Sequence, residues 1–224
     1  MTKIFLMGSE SINSEIREYL NGKAEFTDEI ETAGLIINST NYPEYEKSEE
    51  LQYVESQTQN NVPIFTSSLC QCVSDQCALQ KNPERLVGIG LYDTFSKAKR
   101  IEIAPSKITD PEILKNAEKF LTEAGINYSV VPDRVGMIFP RIVSMIINEA
   151  VQVYSEQIAS KEDIDTAMKL GTNYPFGPLE WADRLGAGLV YNILAGLQRD
   201  FGEDRYRPHP VLKEMVKLNK KFYE

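Results

Sequence analysis

The chain has 224 residues, 42% of them apolar and 25% charged, with 33 acidic side chains against 24 basic ones and a formal net charge of -9. This is the composition of an ordinary globular chain long enough for two modest domains, and it argues against a nucleic-acid partner, whose binding rests on clustered Lys and Arg. No run approaches the ~20 apolar residues that span a bilayer, and Ile4 to Met7 is too short for the apolar core of a secretory signal, so a cytoplasmic protein that avoids membranes is expected.

Lys3 to Met7 reads as a buried strand, followed by Gly8 and a helix from about Ser11 to Leu20. Leu35 to Asn38, Val62 to Thr66 and Leu86 to Leu91 are further short apolar runs. Polar helical stretches such as Glu44 to Gln59 separate them, and the alternation predicts a parallel sheet with helices on its faces. Lys99 to Ala104 and Tyr128 to Val131 add two candidate strands, and Asp110 to Ala124 is helical, with Pro111 at its start and Gly125 as its stop. A domain boundary is expected at Pro132-Asp133. Met137 to Tyr154 is apolar on nearly every face, which predicts a helix buried between others or at a subunit interface; Pro140 and Arg141 interrupt it.

Lys161 to Arg184 specifies a helix, a tight turn and a second helix. Ser160 suits the cap of the first, Glu162 and Asp163 suit its positive end, and Ile164, Ala167, Met168 and Leu170 line an inner face before Gly171 stops it. The turn holds Asn173, Pro175, Gly177 and Pro178, after which Leu179, Trp181, Ala182 and Leu185 resume a helical pattern. Lys213, Lys217, Lys220 and Lys221 are interleaved with Glu214 and apolar positions, the pattern of a solvated helix face.

The turn after the opening strand bears on cofactor chemistry. A dinucleotide-binding turn takes the form G-x-G-x-x-G, so that the backbone can approach a pyrophosphate at a helix N-terminus. Here the run is Gly8-Ser9-Glu10-Ser11-Ile12-Asn13. Gly8 and Ser9 remain candidate cofactor contacts, but Glu10 adds a side chain and a negative charge where an anion should be met. Asp28 lies 20 residues after Gly8, the usual separation for an acid that binds the ribose. Cys70, Cys72 and Cys77 are odd in number and argue against a disulfide framework. A metal site would need a fourth ligand, and the single histidine, His209, lies far away between prolines, so no metal is expected and the cysteines read as small buried thiols.

The Lys161 to Arg184 segment resembles the carboxy-terminal domain of the 3-hydroxyacyl-CoA dehydrogenases, which carries G-x-G-Y-P-M-G-P-F-E-L-x-D between two helices of an all-helical dimerising domain. The likeness extends through Asn148-Glu149-Ala150 and through Arg205 to Leu212, covering about residues 133 to 216. Upstream, Asn82 to Gly88 is similar to the family's K-R-P-E-R-V-I-G, which leads into M-H-F-F-N-P. The resemblance implies NAD-dependent oxidation of a 3-hydroxyacyl-CoA. In the family a histidine takes the proton from the 3-hydroxyl as hydride leaves, a glutamate orients that histidine, and an asparagine and a serine bind substrate oxygens.

Carried over residue by residue, the histidine position is Gly90, and Glu102, twelve residues later, stands at the orienting position. Ser67 of Thr66-Ser67-Ser68 stands at the serine, and Pro140, before Arg141, stands where the asparagine should be. The nucleotide half is also shorter than the family's, chiefly between Gly22 and Ala33, where the family carries elements that complete the cofactor site and part of the CoA site.

The sequence thus predicts an α/β chain. A shortened Rossmann-like parallel sheet domain with a degenerate NAD site covers 1–132, and an all-α dimerisation domain covers 133–224. The expected function is that of a catalytically impaired relative acting as a binding or assembly subunit. The alternatives are active NAD-dependent oxidation of a 3-hydroxyacyl-CoA and a structural homodimer without ligand. The expected partner is a second copy, or an active relative, through the helical domain, with an acyl-CoA as candidate ligand.

Overall fold

The computed structural model describes residues 2–223. The chain divides into two compact units between Met137 and Ile138. This lies a few residues beyond the expected boundary at 132/133, because the Asp133 carboxylate accepts from the Val73 and Ser74 amides at 2.7 and 2.8 Å and from Ser74 Oγ at 2.7 Å, tying residues 133–137 to the first unit.

The first unit is built on seven strands: β1 (Lys3–Met7), β2 (Glu25–Phe26), β3 (Leu35–Asn38), β4 (Ile64–Ser67), β5 (Leu86–Ile89), β6 (Ile101–Pro105) and β7 (Tyr128–Val130). They lie in the order β2-β1-β3-β4-β5-β6-β7. Leu35, Ile36, Ile37, Ile64, Phe65, Leu86 and Val87 are all buried, the continuous apolar runs of strands covered on both faces. Helices α1 (Glu10–Tyr19), α2 (Glu44–Gln57), α3 (Val73–Cys77) and α4 (Pro111–Glu123) complete the unit. Asp110 caps α4 by accepting from the Glu112 amide at 2.7 Å, Pro111 opens it, and Gly125 beyond its end has φ of 66°.

The sheet is parallel from β2 to β5, whereas β6 runs antiparallel to β5, pairing Gly88 with Ala104. The link over 90–100 holds only one 3-10 turn, Phe95–Lys97, and no crossover helix to return the chain to the same end. Between β2 and β3 there is likewise only the 3-10 turn Ile30–Thr32, the structural form of the shortening read from sequence.

The second unit holds α5 (Phe139–Ser155), α6 (Lys161–Thr172), α7 (Pro178–Leu185), α8 (Ala187–Phe201) and α9 (Pro210–Leu218). Pro140 does not break α5, since it sits in the first turn, where an amide has no partner inside the helix. Ser160 caps α6 as expected, accepting from the Asp163 amide at 3.1 Å. Gly171 does not end that helix; it continues to Thr172 and closes on Asn173, whose φ is 56°.

One buried carboxylate stitches α6 to α7. Asp165, 1% exposed, accepts from the Leu179 amide at 2.8 Å, the Glu180 amide at 3.0 Å and Tyr223 Oη at 2.9 Å. Glu180 in turn accepts from the Gly177 amide at 2.9 Å. A Cβ on Gly177 would run into the Asp165 side chain, so glycine is required there by close approach. Gly177→Ala is therefore expected to lower stability by about 2 kcal/mol or more, through overpacking of a buried turn. Asp165→Ala should cost a similar amount, because it strands two buried amides. Chemical denaturation followed by the fluorescence of Trp181, the only tryptophan, checks both; unchanged midpoints would overturn the clamp.

Candidate functional site

The residues singled out by sequence gather at the carboxyl ends of the first unit's strands. Gly8 follows β1 with φ of 104°, and a Cβ there would lie 2.5 Å from Thr40 N and 2.9 Å from Ser39 Oγ. The glycine thus serves the protein's own packing against the loop after β3. Asn13, at the third glycine position of the dinucleotide pattern, is buried and accepts from Ser39 Oγ at 2.8 Å, which also contacts the Met7 carbonyl at 3.1 Å. Side chains of the chain itself fill the floor of this turn.

Its rim is acidic. Glu10 is exposed in the first turn of α1 and accepts from Ser14 Oγ at 3.4 Å, while Asp93 accepts from Ser11 Oγ at 3.1 Å. Two carboxylates therefore stand at a helix N-terminus whose amides favour an anion, and they oppose a pyrophosphate there. Glu15 binds the Thr94 and Ser96 amides at 2.8 and 3.0 Å, holding the loop after β5 against α1. Asp28 is exposed two residues past the end of β2, the strand next to β1. Gly8, Ser9 and Asp28 are thus brought to one edge of the sheet.

The histidine position is occupied by a neighbour. A Cβ on Gly90 would lie 3.1 Å from Met137 Sδ and 3.9 Å from Glu102 Cβ, and the Gly90 amide donates to the Glu102 carbonyl at 3.0 Å. Glu102 is therefore beside Gly90, and a side chain added at Gly90 would crowd the thioether of buried Met137, which would have to give by a few tenths of an ångström. Tyr92, two residues on, is buried; burial, followed by the charges of Glu102 and Glu15, pushes its phenol up to about 12, so it stays neutral.

Ser67 is fully buried and donates to Asn41 Oδ1 at 2.6 Å, and Asn41 Nδ2 donates to the Leu91 carbonyl at 3.0 Å. The Ser67 carbonyl accepts from Gln76 Nε2 at 3.2 Å and from the amine of Lys47. Lys47, 2% exposed, belongs to this cluster although nothing in the sequence reading chose it. The signal was there: Lys47 shares a helical face with Leu51 and Val54, both buried. Burial lowers its pKa from 10.5 to about 7, with Cys70, Glu50 and Glu44 facing it and opposing the shift.

Other candidates fall elsewhere. Pro140 lies in the helical unit and offers no amide hydrogen. His209 caps α9, its Nδ1 accepting from the Val211 amide at 3.3 Å. Cys72 and Cys77 are pushed up to about 12 and about 11, first by burial, so both thiols stay protonated and unreactive at neutral pH.

Residues 136–222 match the family model for the 3-hydroxyacyl-CoA dehydrogenase C-terminal domain. A 3-hydroxybutyryl-CoA dehydrogenase of Clostridioides difficile is 26% identical over 98% of the chain and 78% of its own length. A 3-hydroxyadipyl-CoA dehydrogenase of Escherichia coli is 39% identical over 54% of the chain but only 25% of its own length. Among solved structures, FadB2 of M. tuberculosis has a TM-score of 0.85 at 17% identity, covering 98% of this chain and 94% of that one. The (S)-3-hydroxybutyryl-CoA dehydrogenase PaaH1 of Ralstonia eutropha has a TM-score of 0.79 at 19% identity, with coverages of 98% and 94%. At these identities the structural likeness speaks for the fold.

Lys47 makes stability depend on pH in a definite direction. Its folded pKa is depressed, so between about 7 and 10.5 the unfolded chain binds the extra proton and stability rises with pH; below pH 7 that contribution is gone. The slope from this group is at most about 1.4 kcal/mol per pH unit. Urea titrations from pH 6.5 to 9.5 should show the rise, and Lys47→Met should flatten it; an unchanged slope in the variant would refute the assignment.

Proposed function

The chain is a divergent member of the 3-hydroxyacyl-CoA dehydrogenase family, and on that premise we propose that it is catalytically impaired and serves as a binding or assembly subunit. The observation that carries this reading is Gly90 itself: the position that the resemblance assigns to the general base bears no side chain, and Met137 Sδ packs beside it. Loss of a general base typically removes ~10²- to 10⁴-fold in rate. The filled and acid-rimmed turn at Gly8 to Asn13 supports weak cofactor binding, since Glu10 and Asp93 repel the pyrophosphate of NAD.

A second reading, NAD-dependent oxidation of a 3-hydroxyacyl-CoA with a different base, draws support from Glu102 beside Gly90 and from Gly8 and Asp28 just past the ends of neighbouring strands. Activity separates the two. The impaired reading expects no oxidation of 3-hydroxybutyryl-CoA under conditions that saturate an active relative, and an NADH dissociation constant weaker than ~10 μM, about 7 kcal/mol of binding. Gly90→His alone should not restore turnover, because Pro140 still stands at the asparagine position and the turn at Gly8 to Asn13 stays altered; recovery by that one change would overturn the account.

The assembly half of the reading rests on α5 and α6. Val143, Ile147 and Val151 are buried within the unit, but Ile142 is 52% exposed, Ile158 68% and Leu170 82%. A cavity of about 500 Å³ lies between the two helices, walled by Ile146, Val153, Ile164 and Met168 among others. Apolar surface of this extent suits a self-complementary two-fold contact. Light scattering should report the mass of two chains at micromolar concentration, and Leu170→Glu together with Ile142→Glu should shift it toward one; a monomer in the unsubstituted chain would overturn homodimerisation.

A further inference from the structure

The helical unit carries a second, chemically different cavity. It measures about 590 Å³, within the range of small-ligand sites, and its walls include Lys169, Arg184 and Lys221 together with Glu180 and Asp183. Both acids are already engaged. Glu180 pairs with Lys169 at 2.7 Å and accepts from the Gly177 amide, and these two bonds hold its carboxyl below the usual range. Asp183 spends both oxygens on the Phe222 and Tyr223 amides, at 2.8 and 2.7 Å.

The two remaining cations form no hydrogen bond or ion pair among the described residues, although the Arg184 charge also helps to hold the Glu180 carboxyl down. Arg184 lies 3.7 Å over the ring of Phe176, which fixes its guanidinium plane, and it makes no hydrogen bond or ion pair among the described residues. Lys221 is exposed and likewise has no such partner. In a chain of net charge -9, a lining of Lys169, Arg184 and Lys221 against Glu180 and Asp183, whose oxygens already accept bonds from within the protein, makes a local excess of positive charge. Pro175, Phe176 and Tyr223 supply an apolar wall beside it.

We propose that this cavity binds an organic phosphate, its phosphate group held by Arg184 and Lys221 and its organic part resting against Pro175, Phe176 and Tyr223. A planar guanidinium and a point ammonium match a phosphate's oxygens by charge and geometry. The site lies wholly within the helical unit and is independent of whether the sheet unit binds a dinucleotide or turns over substrate.

The test uses the full chain at low ionic strength, where such contacts are least screened, with AMP, inorganic phosphate and succinate as probes in calorimetry. AMP should bind in the sub-millimolar range. Arg184→Gln and Lys221→Gln should each weaken it by about tenfold, and the double substitution should abolish it. Both side chains are exposed, so the fold is expected to survive, and circular dichroism checks that. A readout without substitutions is the fluorescence of Trp181, whose ring is 6.4 Å from that of Phe176; AMP should perturb it. Failure of AMP to bind, binding unchanged in the double variant, or AMP binding that leaves Trp181 unperturbed would overturn the site. Succinate binding as tightly as AMP would overturn its phosphate character, and inorganic phosphate binding as tightly as AMP would overturn the role of the apolar wall.

Discussion

The arrangement of the sheet unit depends on one constraint, that polar groups buried at the carboxyl ends of its strands must find partners inside the protein. Ser39, Thr40, Asn41, Thr66, Ser67 and Gln76 are all buried there, and an unpaired group of this kind costs about 1–3 kcal/mol. Most are bonded within the protein, Ser39 to Asn13, Ser67 to Asn41 and Thr66 Oγ1 to Gln76 Oε1 at 2.6 Å, whereas Asn38 Oδ1 and Ser68 Oγ at the same strand ends have no hydrogen-bond partner among the described residues. A ligand-binding strand edge keeps such groups open toward solvent. Here they form a largely paired polar floor, and it fixes where α1, α2 and α3 meet the sheet. Lys47 is the costliest member, tolerated because its amine reaches a carbonyl and gives up its charge readily.

How much of this was legible depended on the length of each signal. The runs at Lys3, Leu35 and Leu86 declared themselves because buried parallel strands need several consecutive apolar residues. Glu25–Phe26 is too short for any pattern, and α3 is barely more than a turn. The 187–201 stretch is not picked out as a helix by sequence, and Gly188 and Gly196 within α8 weaken its helical pattern. The reversal of β6 was not readable, since direction is set by the missing crossover helix and not by the strand's own residues. At the site, the absence of a histidine at Gly90 could be read directly. What fills its place could not, because Met137 is distant in sequence and reaches it only through the turn at Gly136, whose amide donates to the Leu69 carbonyl at 2.9 Å.

The helical unit is organised on different terms. Its turns are fixed by carboxylates that accept backbone amides, Asp165 at α7 and Asp183 at Phe222 and Tyr223. Because these acids are committed to the backbone, they leave nearby cations free, and a net acidic chain can still present a basic concavity. Charge summed over a sequence says little about the sign of any one surface once the acids are sorted into structural and solvent-facing sets.

The thioether beside Gly90 also constrains the routes by which related sequences can interconvert. A change of Gly90 to histidine alone crowds Met137, which must shift to admit it, and a change of Met137 to a small residue alone opens a hole beside a glycine that cannot fill it. Each single step is disfavoured while the pair together is compatible. A lineage carrying this arrangement therefore changes residue 90 most readily when residue 137 changes with it. Drift at the two positions is coupled, and substitutions at 90 and 137 should appear in relatives as a correlated pair.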